Sequence, residues 1–223
     1  MALNLNNIVV PYKEFYGRVT EQMPLLRAEG RVPISVADIM ERRLNSDLQD
    51  WKDNYFFTGD AIAYHPDKKF KIVLDSDLLR TLKSESDVQN GALVLTDGLY
   101  EDLQGEEFLY KDIKKLVEKN LSQKEILQHP LWKAVARNDE LLKVYVQKML
   151  ARLNRNKNMG VYLDSSEVEF PNLRALVVGG LQHGSGLNGR ISLDYEYDRL
   201  IGVAPEALNA HGKVIVKPSQ ETH

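Results

Sequence analysis

Residues 61–74 read AIAYHPDKKFKIVL, two apolar runs that flank a polar stretch containing a proline. Residues 61–64 and 70–74 are composed mainly of residue types that favour strands, and residues 65–69 have the composition of a turn. The pattern predicts a β-hairpin near residues 61–75. We therefore expect a small antiparallel or mixed sheet in this part of the chain.

Helical signals lie on both sides of this hairpin. Capping boxes at residues 35–38 and 122–125 predict two helix starts, because a serine and an acidic residue three positions later satisfy each other's backbone N–H groups. Apolar residues recur at helical spacing over residues 12–23 and within residues 106–154. These patterns predict that most of the first two-thirds of the chain is helical.

The composition changes at residues 154–160, NRNKNMG, which have the polar character of a linker. Beyond it, residues 191–197 alternate apolar and polar side chains, as in a strand with one solvated face. The predicted fold class is α+β, with a helical N-terminal two-thirds around a small sheet and a β-rich C-terminal third. The two regions are residues 1–158, mainly helical, and residues 159–223, and we expect them to share one core.

Composition excludes several classes of protein. Hydrophobic residues make up 43% of the 223 residues, which is enough for a sizeable core. The absence of cysteine excludes disulfide scaffolds, thiolate nucleophiles and cysteine-ligated metals. The first residues, MALNLNN, do not resemble a signal peptide, and the longest apolar run, residues 175–181, is far shorter than the roughly 20 residues of a membrane span. We predict a soluble cytoplasmic protein that does not associate with membranes.

Charge is unevenly distributed along the chain. Residues 45–109 hold 6 basic and 14 acidic residues, a net charge of −8, whereas residues 110–158 hold 12 basic and 5 acidic residues, a net charge of +7. One interpretation is that the two stretches neutralise each other within the molecule. The other is that the basic stretch faces an anionic partner, in which case Lys114, Lys115 and Lys119 are candidates for contacting nucleic-acid phosphates.

Residues 71–77, KIVLDSD, give a candidate metal site at Asp75 and Asp77. Two carboxylates separated by one residue at the end of a strand can supply hard oxygen ligands to Mg²⁺ or Mn²⁺. The Asp-x-Asp pattern resembles the metal motif of some glycosyltransferases, although the βαβ alternation typical of those enzymes does not surround it. The alternative is local: Asp75 or Ser76 caps a helix, and Asp77 lies in its first turn.

Residues 184–189, GSGLNG, match the pattern G-x-G-x-x-G. A dinucleotide site requires a helix directly after these glycines, and here the sequence predicts a strand. Two interpretations remain. The segment is a glycine-rich hairpin connection, or its backbone N–H groups form an anion-binding nest with Gly184, Ser185, Gly186 and Gly189.

Three functional hypotheses follow, and they leave open whether the protein is an enzyme. The first is a non-catalytic binding or assembly protein, which would form homo-oligomers. The second is a metal-dependent enzyme that acts on phosphate or sugar-nucleotide substrates through Asp75 and Asp77, with Mg²⁺ or Mn²⁺ as its cofactor. The third is a nucleic-acid-binding protein that uses the basic helices of residues 110–158.

Overall fold

The computed structural model describes residue 3 and residues 12–118, 120–153, 159–164 and 168–204. Over these ranges the chain forms one mixed sheet of eleven strands. The strands are β1 Tyr12–Tyr16, β2 Val32–Pro33, β3 Phe56–His65, β4 Lys69–Val73, β5 Val88–Gln89, β6 Ala92–Val94, β7 Glu106–Leu109, β8 Val161–Tyr162, β9 Asn172–Val178, β10 Leu187–Asn188 and β11 Arg199–Val203. The helices are α1 Val19–Ala28, α2 Val36–Asn45, α3 Gln49–Asp53, α4 Asp77–Arg80, α5 Asp97–Asp102, α6 Tyr110–Ile113, α7 Gln123–Gln128, α8 Pro130–Ala136 and α9 Asp139–Arg152, with 3₁₀ helices at Lys114–Leu116 and Leu181–His183.

Strands β3 and β9 form the centre of the sheet. They pair antiparallel from Phe56↔Val178 to Tyr64↔Asn172, and a bulge interrupts the register just before Ala61. Strand β11 pairs parallel with β3 and antiparallel with β1, which gives the order β1-β11-β3-β9-β10-β8. On the remaining edges β4 joins β3 to β7, and β6 joins β9 to β5.

Both faces of this sheet are covered, because successive side chains of a strand point to opposite faces. Ile62 and Tyr64 belong to a core cluster with helices α2, α3, α7, α8 and α9. Ala61 and Ala63 belong to a second cluster with helices α1, α4 and α5. The chain is therefore built in three layers, with the central strands buried on both sides.

The predicted helical N-terminal two-thirds is wrong. Strands β1 to β7 lie before residue 158, and the sheet is large rather than small. Tyr12 and Phe15 show why the helical spacing misled: both lie in β1, and each belongs to a different core cluster. Residues three apart in a strand occupy opposite faces, so a strand buried on both sides reproduces the apolar spacing of a helix.

Predictions that rest on local signals are confirmed. The hairpin forms between β3 and β4, with His65 paired to Lys69 across the turn. Both capping boxes form, with Ser35 and Ser122 accepting bonds from the third helical N–H of their helices. None of the described helices is long and apolar enough to cross a bilayer. The domain division at residue 158 stays a prediction, since residues 154–158 lie outside the described ranges.

Candidate functional site

An irregular segment connects β10 to β11 where the sequence predicts a strand. Within this display segment, defined as residues 191–198, Leu193 and Asp198 are fully buried, whereas the four residues between them are exposed. Those four residues are Asp194, Tyr195, Glu196 and Tyr197. The segment therefore presents four consecutive side chains to solvent between two buried anchors.

Backbone hydrogen bonds fix both ends of the display segment. The N–H of Leu193 donates to the carbonyl of Gly91 at 2.8 Å, and its own carbonyl accepts from Val19 at 3.1 Å. At the other end the carbonyl of Asp198 accepts from the N–H of Gly17 at 3.0 Å. The segment is thus held to α1 and to the turn between β5 and β6.

The turn at Gly91 packs tightly against the display segment. A Cβ at this position would lie 2.2 Å from the hydroxyl oxygen of Ser192, and φ is +73°, so glycine is required here on two counts. Arg174, from the central strand β9, donates to the carbonyls of Asn90 at 2.8 Å and Arg190 at 3.3 Å. A buried side chain of the scaffold therefore positions both the turn and the start of the segment.

Three tyrosines form an exposed cluster, here called the tyrosine surface: Tyr16, Tyr195 and Tyr197. Their exposed fractions are 47%, 48% and 54%. The ring of Tyr197 lies 6.4 Å from that of Tyr16 and 5.6 Å from that of Tyr195, measured between centroids. About half of the surface of each tyrosine is thus available for contact with another molecule.

The polar groups around this surface are mixed in charge. Arg18 pairs with Glu196 at 2.7 Å, and the guanidinium of Arg199 lies 5.1 Å from the centroid of the Tyr16 ring. The carboxylate of Asp194 makes no ion pair with any described residue. Beside the tyrosine surface there is thus one carboxylate that no described residue neutralises, and a cation lies over the ring of Tyr16.

Asp198 is a buried carboxyl for which the described part of the chain offers no hydrogen-bond partner. Neither of its side-chain oxygens has a hydrogen-bond partner among the described residues. Burial raises the pKa of Asp198 to about 8, and the nearby charge of Asp194 adds to that shift. Burial also raises the pKa of Tyr55 to about 12, with Asp198 contributing. The carboxyl of Asp198 is therefore largely protonated at neutral pH.

A second buried polar group lies beneath the loop that precedes β10. The guanidinium of Arg43, fully buried, donates to the hydroxyls of Tyr145 and Ser185, each at 3.0 Å. It also donates to the carbonyls of Trp51 at 2.7 Å and Asn54 at 2.8 Å. These acceptors are all neutral, so hydrogen bonds rather than a counter-charge hold this cation in the core.

Of the predicted anion-binding residues, Gly184, Ser185 and Gly186 lie in this same loop, and Gly189 directly follows β10. Backbone N–H groups there bond internally: Ser185 donates to Gly180 at 3.0 Å, and Gly184 to Leu181 at 3.2 Å. A Cβ on Gly186 would lie 2.8 Å from a backbone oxygen, which explains glycine at this position by packing. Gly189 likewise donates within the protein. An anion would have to displace these bonds, so the nest stays a prediction.

The predicted metal ligands Asp75 and Asp77 do not face each other across a cleft. Asp75 accepts from Arg137 at 2.6 Å, and its other oxygen lies 3.5 Å from Arg80. The side chain of Asp77 is 93% exposed, in the first turn of α4, while Ser76 caps that helix. In the part of the chain that the structure describes, no cluster of three or more His, Asp or Glu could hold a metal ion. The metal site stays a prediction.

The predicted nucleic-acid residues are divided between different surroundings. Lys114 lines a cleft of about 470 Å³, whereas Lys115 is exposed outside it, and Lys119 lies outside the described residues. Nucleic-acid binding through these lysines also stays a prediction.

Sequence reasoning missed the functional features of the display segment. The alternation over residues 191–197 predicts that Tyr195 and Tyr197 face a core, but both are exposed, and it is Leu193 and Ile191 that pack against the core. Nothing in the sequence indicates that the Asp198 side chain is buried, since an aspartate beside a turn is normally exposed. A clue to the exposed segment is the run DYEYD, residues 194–198, which has no aliphatic residue.

The overall fold of the chain is similar to that of a solved structure. A solved structure described as “Accommodation of massive sequence variation in Nanoarchaeota by the C-type lectin fold” covers 89% of this chain and 100% of that chain, with a TM-score of 0.70 and 18% sequence identity. At this identity the similarity shows the fold alone: the chain has a C-type lectin fold. No protein-family model matches the chain, and no curated protein matches it significantly.

Proposed function

We propose that this chain is a non-catalytic binding protein, and that it recognises another protein through the tyrosine surface. The observation that carries the proposal is the run of four exposed residues between the fully buried Leu193 and Asp198. Such a segment can contact a partner without disturbing the core. Surfaces that bind proteins are enriched in tyrosine, because a rigid ring offers a large contact area at a low cost in conformational entropy.

The charges near the tyrosine surface favour a partner that presents lysine or arginine side chains. Asp194 offers a carboxylate that makes no ion pair within the described ranges, and an aromatic ring attracts a cation placed over its face. The molecule itself shows this mode of contact, with Arg199 stacked on Tyr16. We therefore infer a basic protein surface as the partner.

The similar solved structure supports the proposal indirectly. That protein is described as showing how the C-type lectin fold accommodates massive sequence variation. By analogy, we infer that the exposed part of the display segment in this chain can change residues while the scaffold keeps its shape. Cytoplasmic location and homo-oligomer formation remain proposals alongside this one.

The test uses a fluorescent arginine-rich peptide and a glutamate-rich peptide of equal length, with binding followed by anisotropy. We expect the arginine-rich peptide to bind, and the variant Tyr195→Ser/Tyr197→Ser to weaken binding about tenfold, which corresponds to about 1.4 kcal/mol. This variant leaves the net charge unchanged, so a loss reports on the rings. Leu99→Ser, which alters an exposed apolar residue elsewhere, serves as the matched control.

Equal binding by the wild type and the double tyrosine variant would contradict the proposal. Sizing chromatography of the same proteins tests the alternative of self-association. An oligomer that dissociates in the tyrosine variant would identify the surface as an interface between copies of the chain instead.

A further inference from the structure

A concave site lies away from the display segment. The cleft of about 470 Å³ is lined by the turn between β3 and β4, by the chain that leaves β7, and by Asp164 and Val168. None of its lining residues belongs to the display segment or the tyrosine surface. Its volume falls within the range of about 300–1,000 Å³ that is usual for small-molecule sites.

This lysine cleft is positively charged within an acidic protein. Four lysines line it, together with two aspartates, whereas the whole chain has a net charge of −3. The lysines are Lys68, Lys69, Lys111 and Lys114. Lys69 is already neutralised by Glu101 at 2.8 Å. Lys111 and Lys114 make no ion pair with any described residue, so their charges are available to an anion.

The two segments that carry these lysines are fixed to each other. The N–H of Tyr110 donates to the carbonyl of Lys68 at 2.9 Å, and Lys69 pairs with Leu109 across β4 and β7. Behind this contact the rings of Phe70 and Phe108 stack, with centroids 5.4 Å apart. Scaffold contacts therefore fix the part of the cleft that carries the lysines.

We propose that the lysine cleft binds a nucleoside monophosphate or diphosphate. Lys111 and Lys114 supply the charge that a phosphate group requires. Leu109 and Tyr110 give an apolar wall against which a base can pack. A concave site with cations beside an apolar wall matches a nucleotide better than it matches a bare phosphate.

The position of Lys115 favours a small molecule over a nucleic acid. Lys115 is exposed next to Lys114 but does not line the cleft. An extended polyanion would use both lysines, because it follows a basic track along the surface. A nucleotide inside the cleft would contact Lys114 but not Lys115. This difference provides a matched pair of variants one residue apart.

The experiment titrates the full chain with ADP, AMP, adenosine, inorganic phosphate and a single-stranded oligonucleotide by calorimetry at low salt. We expect ADP to bind with a dissociation constant below about 1 mM. We expect adenosine and inorganic phosphate each to bind more weakly than ADP. Lys114→Glu should weaken ADP binding about tenfold, and its matched control Lys115→Glu should leave it within about twofold. Backbone amide shifts at Lys68 and Tyr110 upon ADP addition would locate the ligand.

Three results would overturn the proposal. The first is no ADP binding by the wild type, and the second is an equal loss in Lys115→Glu, which would show a general charge effect. The third is tight oligonucleotide binding that depends on Lys114 and Lys115 alike, which would indicate a nucleic-acid surface. The altered side chains are exposed, and circular dichroism of each variant verifies that the fold is intact.

Discussion

The regions around Asp60 and Asp198 each contain a fully buried carboxyl group, but the two groups differ in their hydrogen-bond partners. At Asp60 one oxygen accepts from the N–H of Val36 at 2.8 Å. The other oxygen accepts from the N–H of Asp75 at 2.9 Å and from Arg137 at 2.6 Å. At Asp198 neither oxygen has a partner among the described residues.

This difference shows that burial alone does not determine what a carboxyl group does. Burial raises the pKa of both groups, but at Asp60 the charge of Arg137 and two backbone N–H donors oppose the shift. Asp60 therefore ties α2, the end of β4 and the end of α8 together. Asp198 has no such role and instead keeps a proton that an exposed carboxyl would lose.

The largest effect should come from breaking the Asp60 junction. Asp60→Ala leaves Arg137 without its buried partner and two N–H groups without an acceptor, which should lower the free energy of unfolding by about 3–5 kcal/mol. We place the result near the lower limit, since the side chain of Arg137 is 32% exposed. Urea unfolding measures the change, and Asp77→Ala, at an exposed position, should cost below about 1 kcal/mol.

The region around Asp198 should instead respond to pH. The pKa of this carboxyl is 3.8 in the unfolded chain and about 8 in the folded chain, so between these pH values the folded state holds one more proton. The contribution of the Asp198 carboxyl to the free energy of unfolding is therefore greatest below pH 4. It decreases as the pH rises, by about 1.4 kcal/mol for each pH unit between about 5 and 7. Above pH 8 the decrease ends.

Asp198→Asn isolates this contribution, because other titrating groups are common to both proteins. Thermal or urea unfolding from pH 5 to 9 should give a flatter profile for the variant, which should exceed the wild type in stability at pH 8. Parallel profiles for the two proteins would show that Asp198 is ionised in the folded protein over this pH range, contrary to this prediction.

Arg43 extends the comparison to a third buried charged group, and its partners among the described residues are all neutral. Ser185→Ala removes one acceptor from the guanidinium and one partner from the Tyr145 hydroxyl, which lies 2.9 Å from Ser185. We expect a loss of about 1–2 kcal/mol in the free energy of unfolding. Combined with Tyr145→Phe the losses should be less than additive, because both variants disturb one network. Additive losses in this double-mutant cycle would indicate separate interactions.

The smallest effect is expected from Asp194→Asn. The exposed charge of Asp194 contributes to the raised pKa of Asp198, so removing it should move the Asp198 titration to lower pH by a fraction of a unit. Carbon-13 NMR of the carboxyl groups follows the shift directly. Glu21→Gln, at a carboxylate that does not contribute to the Asp198 shift, serves as the control.

Local interactions in this protein could be predicted from sequence, and distant ones could not. The capping residues Ser35 and Ser122 interact with residues three positions away, so their sequence context is sufficient. The hairpin at residues 61–75 is similarly local. Strand β1 pairs with β11, which lies far along the chain, and no periodic pattern in either strand identifies its partner. For this reason the size of the sheet was underestimated.

The candidate site was predicted still less well. Ser185 was identified as a residue of interest, but its partners Arg43 and Tyr145 come from two helices distant in sequence. Tyr195 and Tyr197 were assigned to a strand because alternation describes composition and not exposure. Asp198 depends on the complete packing of the surrounding chain, since its carboxyl is ordinary in sequence and unusual only in its environment.

The placement of β11 between β1 and β3 has a consequence for biosynthesis. Strand β1 leaves the ribosome before its hydrogen-bonding partner β11, which is complete only when residue 203 has been made. A chain that lacks β11 has no partner for β1 or for that side of β3, and unpaired strand edges can pair with strands of other chains. We therefore expect chains that end before β11 to aggregate more readily than chains that contain it.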